Sequence, residues 1–319
     1  MGEDYIAPYK ITESMTLYKP QNLWNIALFV LSEEENLLDC VKRNPDRRFT
    51  PQSLIRTHYH QVTGYADPFL FVHKDWLYLF YEEERLKAKA PICAKCTKDL
   101  KRWESLGVVL KESHHLSYPN IFEHEGEIYM LPETRECEAV ILYKALEFPY
   151  HWEKYKILVE GDKYADSCLL FYEGKWYLFT TAWYGKKNGL RIFVSDTLAG
   201  DYVEHPMSPI TDDMAMSRCG GAVFSYNGKL FRPAQYCTNY YGENLGVFEI
   251  KELSPMKYEE RFVKQMIDKQ QDWNLFGGHH LNTTVFNGKR IVVMDGIVND
   301  NWLNNHTRKL FNYIHHLLE

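Results

Sequence analysis

The stretch His280-Leu-Asn-Thr-Thr-Val-Phe-Asn-Gly-Lys-Arg-Ile-Val-Val-Met-Asp295 contains two strand-like runs joined by an Asn-Gly turn. Asn-Gly is the strongest short signal for a β-hairpin because both residues tolerate a positive φ. Four other stretches have the same layout, each with a two-residue turn at its centre: residues 67–82, 118–133, 166–181 and 220–235. A hairpin that recurs five times, about every 50 residues, predicts the blades of a propeller rather than a sandwich.

The remainder of each unit repeats as well. After the hairpin come a third strand-like run, a turn with an aromatic residue before a glutamate, as at Trp103-Glu104, and a fourth run. Four strands per unit is the anatomy of a propeller blade. We therefore predict an all-β fold, in which residues 1–319 form a single five-bladed β-propeller domain. Its blades are expected to start near residues 67, 118, 166, 220 and 280.

Two segments lie outside the five repeats. No complete blade precedes Asp67, so strands within residues 15–31 are expected to close the ring with the last blade. Residues 302–319 have the spacing of apolar side chains that is typical of an amphipathic helix, which predicts a short C-terminal helix.

Composition and charge narrow the class of protein. Aromatic residues make up 15% of the chain, with 23 Tyr and 8 Trp, which suits both strands and surfaces that stack on sugars. The net charge is −6 and no run of Lys and Arg stands out, so no nucleic-acid partner is predicted. The start, Met1-Gly-Glu-Asp-Tyr5, is unlike a signal peptide, and the early apolar run Ile26–Leu31 is too short to span a bilayer. We expect a cytoplasmic protein without membrane insertion.

The cysteines give no sign of a cofactor. Seven are scattered along the chain, and the one close pair, Cys93 and Cys96, has no second half with which to build a zinc or redox site. The interpretation is reduced structural thiols, and no metal or other cofactor is predicted.

Hairpin geometry places particular side chains at one end of the ring. A two-residue turn sets the first residue of each 16-residue stretch opposite the last. The predicted pairs are Asp67 with Glu82, Tyr118 with Glu133, Asp166 with Thr181, Gly220 with Gln235, and His280 with Asp295. All ten residues lie away from the tight turns, and the first strand of each blade lines the central channel. The polar members are therefore expected to meet at one mouth of a central funnel.

Two of these residues occur in the same tripeptide, because Asp67 and Asp166 each follow Tyr-Ala. Asp is poorly suited to strands, so its recurrence at the start of an innermost strand indicates a common task.

Several motifs resemble a known family. They are Tyr65-Ala-Asp-Pro-Phe-Leu-Phe71, Leu116-Ser-Tyr-Pro-Asn120, Leu131-Pro-Glu-Thr134, Arg232-Pro-Ala-Gln235 and Gly277-Gly-His-His-Leu-Asn282. Over roughly residues 20–300 the chain resembles a bacterial family that shares its domain with the N-terminal part of plant glucosamine inositolphosphorylceramide transferases. More distantly, it is similar to the five-bladed propellers of glycoside hydrolase family 43.

The second resemblance implies an inverting mechanism with three carboxylates. Asp67 matches the general base of family 43, and Asp166 matches the aspartate that orients the others and tunes their pKa values. The general acid of that family stands at the start of blade four, where this chain has Ser217-Arg-Cys-Gly-Gly221 and therefore no carboxylate. Either Glu133 or Glu82 takes the role, with Glu133 as our candidate, or hydrolysis has been lost.

The other members of the mouth are candidate substrate-binding residues: Glu82, Tyr118, Arg218, Gln235, His279, His280 and Asp295. Arg218 offers a planar cation suited to a carboxylate or phosphate, as in an acidic sugar or a sugar phosphate, unless it pairs with a neighbouring carboxylate. The resemblance implies that His279 or His280 orients the substrate or lies beside a central cation, although the local spacing has no metal-ligand signature.

The sequence thus favours a glycoside hydrolase-like enzyme that acts on a glycosidic bond in the central funnel. The alternatives are a glycosyltransferase-associated protein and a non-catalytic glycan-binding propeller in surface-polysaccharide metabolism. In each case the expected partner is a saccharide or a sugar phosphate.

Overall fold

The computed structural model describes residues 22–51, 62–85, 88–184, 187–213 and 216–299. Within these ranges the chain forms 20 strands, arranged as five antiparallel sheets of four strands each. The prediction of an all-β propeller with five blades is confirmed. The predicted C-terminal helix lies outside the described residues, as do residues 15–21 of the closing segment. Where the structure is described, no helix has the length and apolar character needed to cross a membrane.

The N-terminal segment forms β1 (Asn22–Leu31) and β2 (Arg47–Phe49). Blade one consists of β3 (Val62–His73), β4 (Trp76–Arg85), β5 (Ile92–Thr97) and β6 (Glu104–Leu110). Blade two consists of β7 (Ser117–His124), β8 (Glu127–Glu133), β9 (Ala139–Glu147) and β10 (His151–Glu160). Blade three consists of β11 (Ala165–Tyr172), β12 (Lys175–Tyr184), β13 (Lys187–Ser195) and β14 (Val203–Glu204). Blade four consists of β15 (Phe224–Tyr226), β16 (Lys229–Tyr236), β17 (Asn244–Leu253) and β18 (Tyr258–Gln265). Blade five contains β19 (Leu281–Phe286) and β20 (Lys289–Asn299). Short 3₁₀ turns lie at Leu37–Lys42 and Arg135–Cys137.

The last blade is built from both ends of the described chain. Its strand order is β19, β20, β1, β2. β1 pairs with β20 along its whole length, from Asn22 opposite Asn299 to Leu31 opposite Arg290. The hydrogen bonds of this blade therefore hold the ring closed.

The tight turns have the backbone that their residues predict. The first turn residue of every hairpin has φ near +50°, and in four hairpins the second is a glycine with φ between 71° and 78°. Two consecutive positive φ angles form the type I′ turn, whose twist matches that of paired strands.

The predicted pairing at the other end of the hairpins is wrong by one residue in three blades. Glu82 lies opposite Ala66, Glu133 opposite Ser117, and Thr181 opposite Ala165. A bulge follows each pair, and the next residues, Asp67, Tyr118 and Asp166, have φ of 51°, 49° and 50°. The extra residue that a bulge places in one strand changes the direction of its side chain, and the regular alternation of side chains along a strand cannot predict this change.

Blades four and five differ from this pattern. In blade four Gly220 does not face Gln235, because the Gln235 N–H donates to the carbonyl of Arg218. In blade five the predicted pair is confirmed: the Asp295 N–H donates to the carbonyl of His280 at 3.3 Å.

Blade four contains a buried cation. Arg232 on β16 is 0% exposed, and its Nε and Nη2 donate to the two oxygens of Glu260 on β18 at 2.7 and 2.6 Å. Its Cζ lies 4.8 Å from the centroid of the Phe248 ring. This bidentate pair satisfies a charge that would otherwise be costly to bury.

Candidate functional site

Asp295, at the funnel end of β20, organises the start of blade five. Its Oδ1 accepts hydrogen bonds from the N–H groups of His279 and His280 at 2.8 and 3.0 Å. Its Oδ2 lies 2.8 Å from His279 Nδ1 and accepts a 3.2 Å bond from the Asp67 N–H. One fully buried carboxylate therefore connects blade five to blade one.

Asp67 lies beside these histidines. Its Oδ2 accepts a 3.2 Å bond from the Tyr118 N–H of blade two. Its Oδ1 lies 3.5 Å from His280 Nδ1 and 3.9 Å from His279 Nδ1, without a hydrogen-bond partner among the described residues. Burial raises the pKa of Asp67, but the two imidazoles and the Arg218 guanidinium lower it, with a net pKa below the ordinary value. Asp67 is therefore an anion whose Oδ1 lies close to two imidazoles but accepts no hydrogen bond from the described residues.

Asp166 belongs to a second cluster. Its Oδ2 contacts Arg218 Nε and accepts a 2.8 Å bond from Gln235 Nε2. Its N–H donates to Glu133 Oε2 at 3.1 Å, and Arg218 Nη2 lies 3.7 Å from the same oxygen. Arg218 therefore has the paired role that the sequence left open, between the carboxylates of blades two and three.

The charges of the two clusters act on one another. The net pKa of Asp166 is raised to about 7. Burial is the largest cause of this increase, the charges of Glu133 and Asp67 add to it, and Arg218 acts in the opposite direction. Arg218 also lowers the pKa of Asp67. Contacts also link the two clusters, because Arg218 Cζ lies 5.3 Å from the centroid of the Tyr241 ring and the Tyr241 hydroxyl lies 2.7 Å from His279 Nε2. The convergence of Asp67 and Asp166 on a shared mouth stays a prediction.

Two residues predicted to bind substrate lie below the mouth. Tyr118 is fully buried, with its ring 5.0 Å from Phe69 and 5.1 Å from His280, and its hydroxyl accepts the Gly221 N–H at 2.7 Å. His280 is fully buried too, and neither of its ring nitrogens has a hydrogen-bond partner in the described part of the chain. The backbone of Tyr118 holds Asp67, while its ring fills the space between blades.

Other mouth residues lay outside the predicted set. Trp24 on β1 stacks on His279 with ring centroids 4.3 Å apart. The Tyr241 hydroxyl lies 2.7 Å from His279 Nε2, and Arg218 Cζ lies 5.3 Å from the centroid of the Tyr241 ring. Tyr241 is 44% exposed, so part of its side chain is open to solvent beside Arg218 and His279. Neither residue belongs to the repeated hairpins, and the sequence pattern therefore had no signal for them.

Glu82 and Glu84 stand on one face of β4. Glu82 Oε1 lies 3.0 Å from Nε2 of His115, which is 39% exposed. Burial raises the pKa of Glu82, and the His115 partner lowers it, with a net increase. Glu84 was missed, although two-residue alternation from Glu82 would have indicated it.

The ion pair between His115 and Glu82 predicts a pH-dependent stability. Burial lowers the pKa of His115, but Glu82 raises it more, to about 9. Since this exceeds the ordinary value of about 6.5, the added stability is complete below pH 6.5 and is lost as the pH rises through 9. We expect the difference in Tm between wild type and His115→Gln to shrink across that window.

The control for this measurement is His151→Gln. The His151 side chain is 68% exposed, and it lies 2.8 Å from Glu147 Oε2 on the outer strands of blade two. An exposed pair contributes little to stability, so the Tm difference should stay small at every pH. A His115→Gln difference that is constant from pH 6 to 10 would contradict the assignment of the ion pair.

Three donor atoms at the mouth lie within 4.8 Å of one another, one each from Asp67, His279 and Asp295. Carboxylate oxygens and an imidazole nitrogen are donor types that bind cations in proteins, but His279 Nδ1 already faces Asp295 Oδ2 at 2.8 Å. Asp166, which was predicted to meet these residues at the mouth, is not one of the three.

Residues 51–297 match the family model described as glucosamine inositolphosphorylceramide transferase 1, N-terminal. The chain is 35% identical over 244 residues to glucosamine inositolphosphorylceramide transferase 1 of Oryza sativa subsp. japonica, covering 72% of this chain and 33% of that protein. It is 35% identical over 249 residues to the protein of the same name from Arabidopsis thaliana, covering 72% of this chain and 32% of that protein. The chain thus spans about a third of the length of the curated relatives it matches.

Solved structures of glycoside hydrolases have a similar fold. A family 32 β-fructofuranosidase mutant from Bombyx mori in complex with sucrose has a TM-score of 0.55 at 18% identity, covering 73% of this chain and 56% of that chain. A family 117 enzyme from Zobellia galactanivorans has a TM-score of 0.53 at 13% identity, covering 87% and 91%. A thermostable family 43 enzyme has a TM-score of 0.52 at 16% identity, covering 74% and 89%. At these identities the likeness is one of fold.

Proposed function

This chain belongs to the family of the N-terminal domain of glucosamine inositolphosphorylceramide transferase 1, and we propose that it is a carbohydrate-active protein that acts on a glycosidic bond. The reaction is hydrolysis of a saccharide bound in the funnel, with Asp67 as general base. The fold shared with a sucrose-bound β-fructofuranosidase supports a saccharide ligand. The plant relatives, which are named glucosamine inositolphosphorylceramide transferase 1, support a carbohydrate substrate as well.

The unpaired Oδ1 of Asp67 is the observation that carries the proposal. A general base needs an oxygen that is free to take a proton from water, in a carboxylate whose position is fixed. The Tyr118 N–H holds Oδ2, and the buried Oδ1 has no hydrogen-bond partner among the described residues, which supports this role for Asp67. The half-exposed Tyr241 ring offers a stacking surface for the apolar face of a sugar.

Asp166 has the supporting role. Arg218 and Gln235 fix its carboxylate, and its charge helps to set the field at the mouth. Glu133, the acid candidate from the sequence, has its Oε2 bound to the Asp166 N–H with a cation 3.7 Å away. We assign Glu133 to the positioning of Asp166 and Arg218.

A panel of aryl glycosides tests the proposed function. We expect the wild-type protein to release the aryl alcohol from at least one member, with inversion at the anomeric carbon observed by NMR. Folded protein that releases no product from any glycoside, yet melts at a higher temperature with the free saccharide, would contradict hydrolysis.

That outcome would instead support the second candidate, glycan binding without catalysis. Arg218 favours it, because this residue stands in the segment where the family 43 resemblance implies a general acid, and it neutralises two carboxylates. Binding of a nucleotide sugar, seen as a rise in Tm, would point to a place in glycosyl transfer.

A further inference from the structure

Glu84 lies in a recess beside Gly64 and Trp24, near the end of β4. It lies two residues beyond Glu82 on β4, so its side chain leaves the same face of the strand about 7 Å closer to the opening. Gly64 stands opposite Glu84 on β3. A Cβ atom at Gly64 would lie 2.5 Å from Glu84 Oε2 and 3.0 Å from Trp24 Cβ. The missing side chain of Gly64 therefore makes the room in which the Glu84 carboxyl group rests near Trp24.

This recess borders the space around Asp67. Trp24 stacks on His279, and His279 Nδ1 lies 3.9 Å from Asp67 Oδ1. Gly64, the partner of Glu84, precedes Asp67 by three residues on β3. Glu84 therefore stands about 8–10 Å nearer the opening than Asp67 along the strands, because the bulge shortens the separation. Inverting glycosidases separate their two carboxyl groups by about 6.5–9.5 Å to leave room for water.

The surroundings of Glu84 favour its protonated form. Burial is the largest influence and raises its pKa to about 8, together with the charges of Glu82 and Asp67. His279 and His115 act in the opposite direction but do not cancel this increase. Near neutral pH Glu84 therefore retains its proton, whereas Asp67 has lost its own.

The other glutamates of the mouth are already paired. Glu133 has Arg218 3.7 Å away, and Glu82 has His115 3.0 Å away. The described part of the chain offers no Lys or Arg within ion-pair distance of Glu84. Among the described residues, Glu84 thus has no Lys or Arg partner that would hold its carboxyl group ionised.

We propose that Glu84 is the proton donor of the glycosidic reaction, an assignment that rests on the proposed function. Asp67 takes a proton from water as the water oxygen bonds to the anomeric carbon. The bond from that carbon to the leaving oxygen breaks, and Glu84 transfers its proton to this oxygen. Asp67 ends protonated and Glu84 ionised, and exchange with solvent restores both. Glu84 thereby supplies the acid that blade four lacks.

Substrates with different leaving groups test the assignment. The Glu84→Gln variant is compared with wild type on the alkyl and the 2,4-dinitrophenyl glycosides of the sugar that wild type cleaves best. An alkoxide must be protonated as it leaves, so kcat/KM on the alkyl glycoside should fall by about 10²–10⁴-fold. Dinitrophenolate leaves without a proton, so that rate should stay within about threefold of wild type. The fall of the wild-type rate above pH 8 should disappear in the variant.

Glu83→Gln is the matched control. Glu83 lies on the opposite face of β4, with Oε1 2.6 Å from Arg85 Nη2, and both rates should match wild type. If Glu84→Gln retains the Tm of wild type but loses kcat/KM equally on the two substrates, or loses none on either, the assignment of Glu84 is overturned while the proposed function stands. Wild-type protein inactive on every glycoside would overturn the proposed function and the assignment together.

Discussion

Asp67→Asn is expected to lower kcat on an aryl glycoside by about 10²–10⁴-fold, the contribution of a positioned general base. The amide keeps the size of the carboxylate, and its oxygen can still accept the hydrogen bond from the Tyr118 N–H. It cannot take a proton from water, so the attack on the anomeric carbon loses its base. Saccharide affinity should remain, because the aromatic and polar groups of the mouth are unchanged.

The measurement is steady-state kinetics together with calorimetric titration of the free saccharide. Asp196→Asn is the control, because Asp196 is exposed and contacts Lys175 on blade three, away from the mouth. It should retain the wild-type kcat. An Asp67→Asn variant with undiminished kcat would exclude Asp67 as the base, whereas loss of saccharide binding would assign it to the ligand instead.

Arg232→Met is expected to lower the free energy of unfolding by about 3–5 kcal/mol. The methionine fills much of the same volume, but Glu260, whose side chain is 10% exposed, loses the two hydrogen bonds that Arg232 donates to its charge. Tyr258 still donates to Glu260 Oε2 at 2.6 Å, which compensates only in part. Urea denaturation followed by tryptophan fluorescence measures the change.

Arg261→Met is the matched control in the same blade. Arg261 is 66% exposed, and its partner Glu249 keeps Lys229 and Lys251 at 3.1 and 2.6 Å. The change should be below about 1 kcal/mol, as for other exposed ion pairs. Similar losses of unfolding free energy in the two variants would show that the ion pair of Arg232 stabilises the protein no more than an exposed pair does.

The fold could be predicted because its decisive signals are local. The turn residues, such as Asn287 and Gly288, adopt the positive φ angles that their chemistry allows. Each turn fixes one hairpin, and the recurrence of five hairpins fixes the number of blades. None of these signals requires knowledge of distant contacts.

The site could be predicted only in part because its details depend on such contacts. The bulges at Asp67 and Asp166 change the register by one residue, yet no residue of the hairpin turns encodes them. Trp24 reaches His279 only because β1 pairs with β20 across the whole length of the chain. The pairing of Arg218 with Asp166 likewise joins blades that the sequence separates by 52 positions.

The closure of the last blade has a consequence for engineering. Asn22 and Asn299 are direct partners, and such partners on antiparallel strands have Cα atoms about 5 Å apart. β20 runs from its tight turn past Asp295 toward the funnel, so both residues stand on the side of the opening. A circular permutant that joins them through a short linker, without residues 1–21 and 300–319, should therefore keep the pairing of β1 with β20. A reporter domain tethered to either residue would be delivered to the entrance through which a ligand must pass.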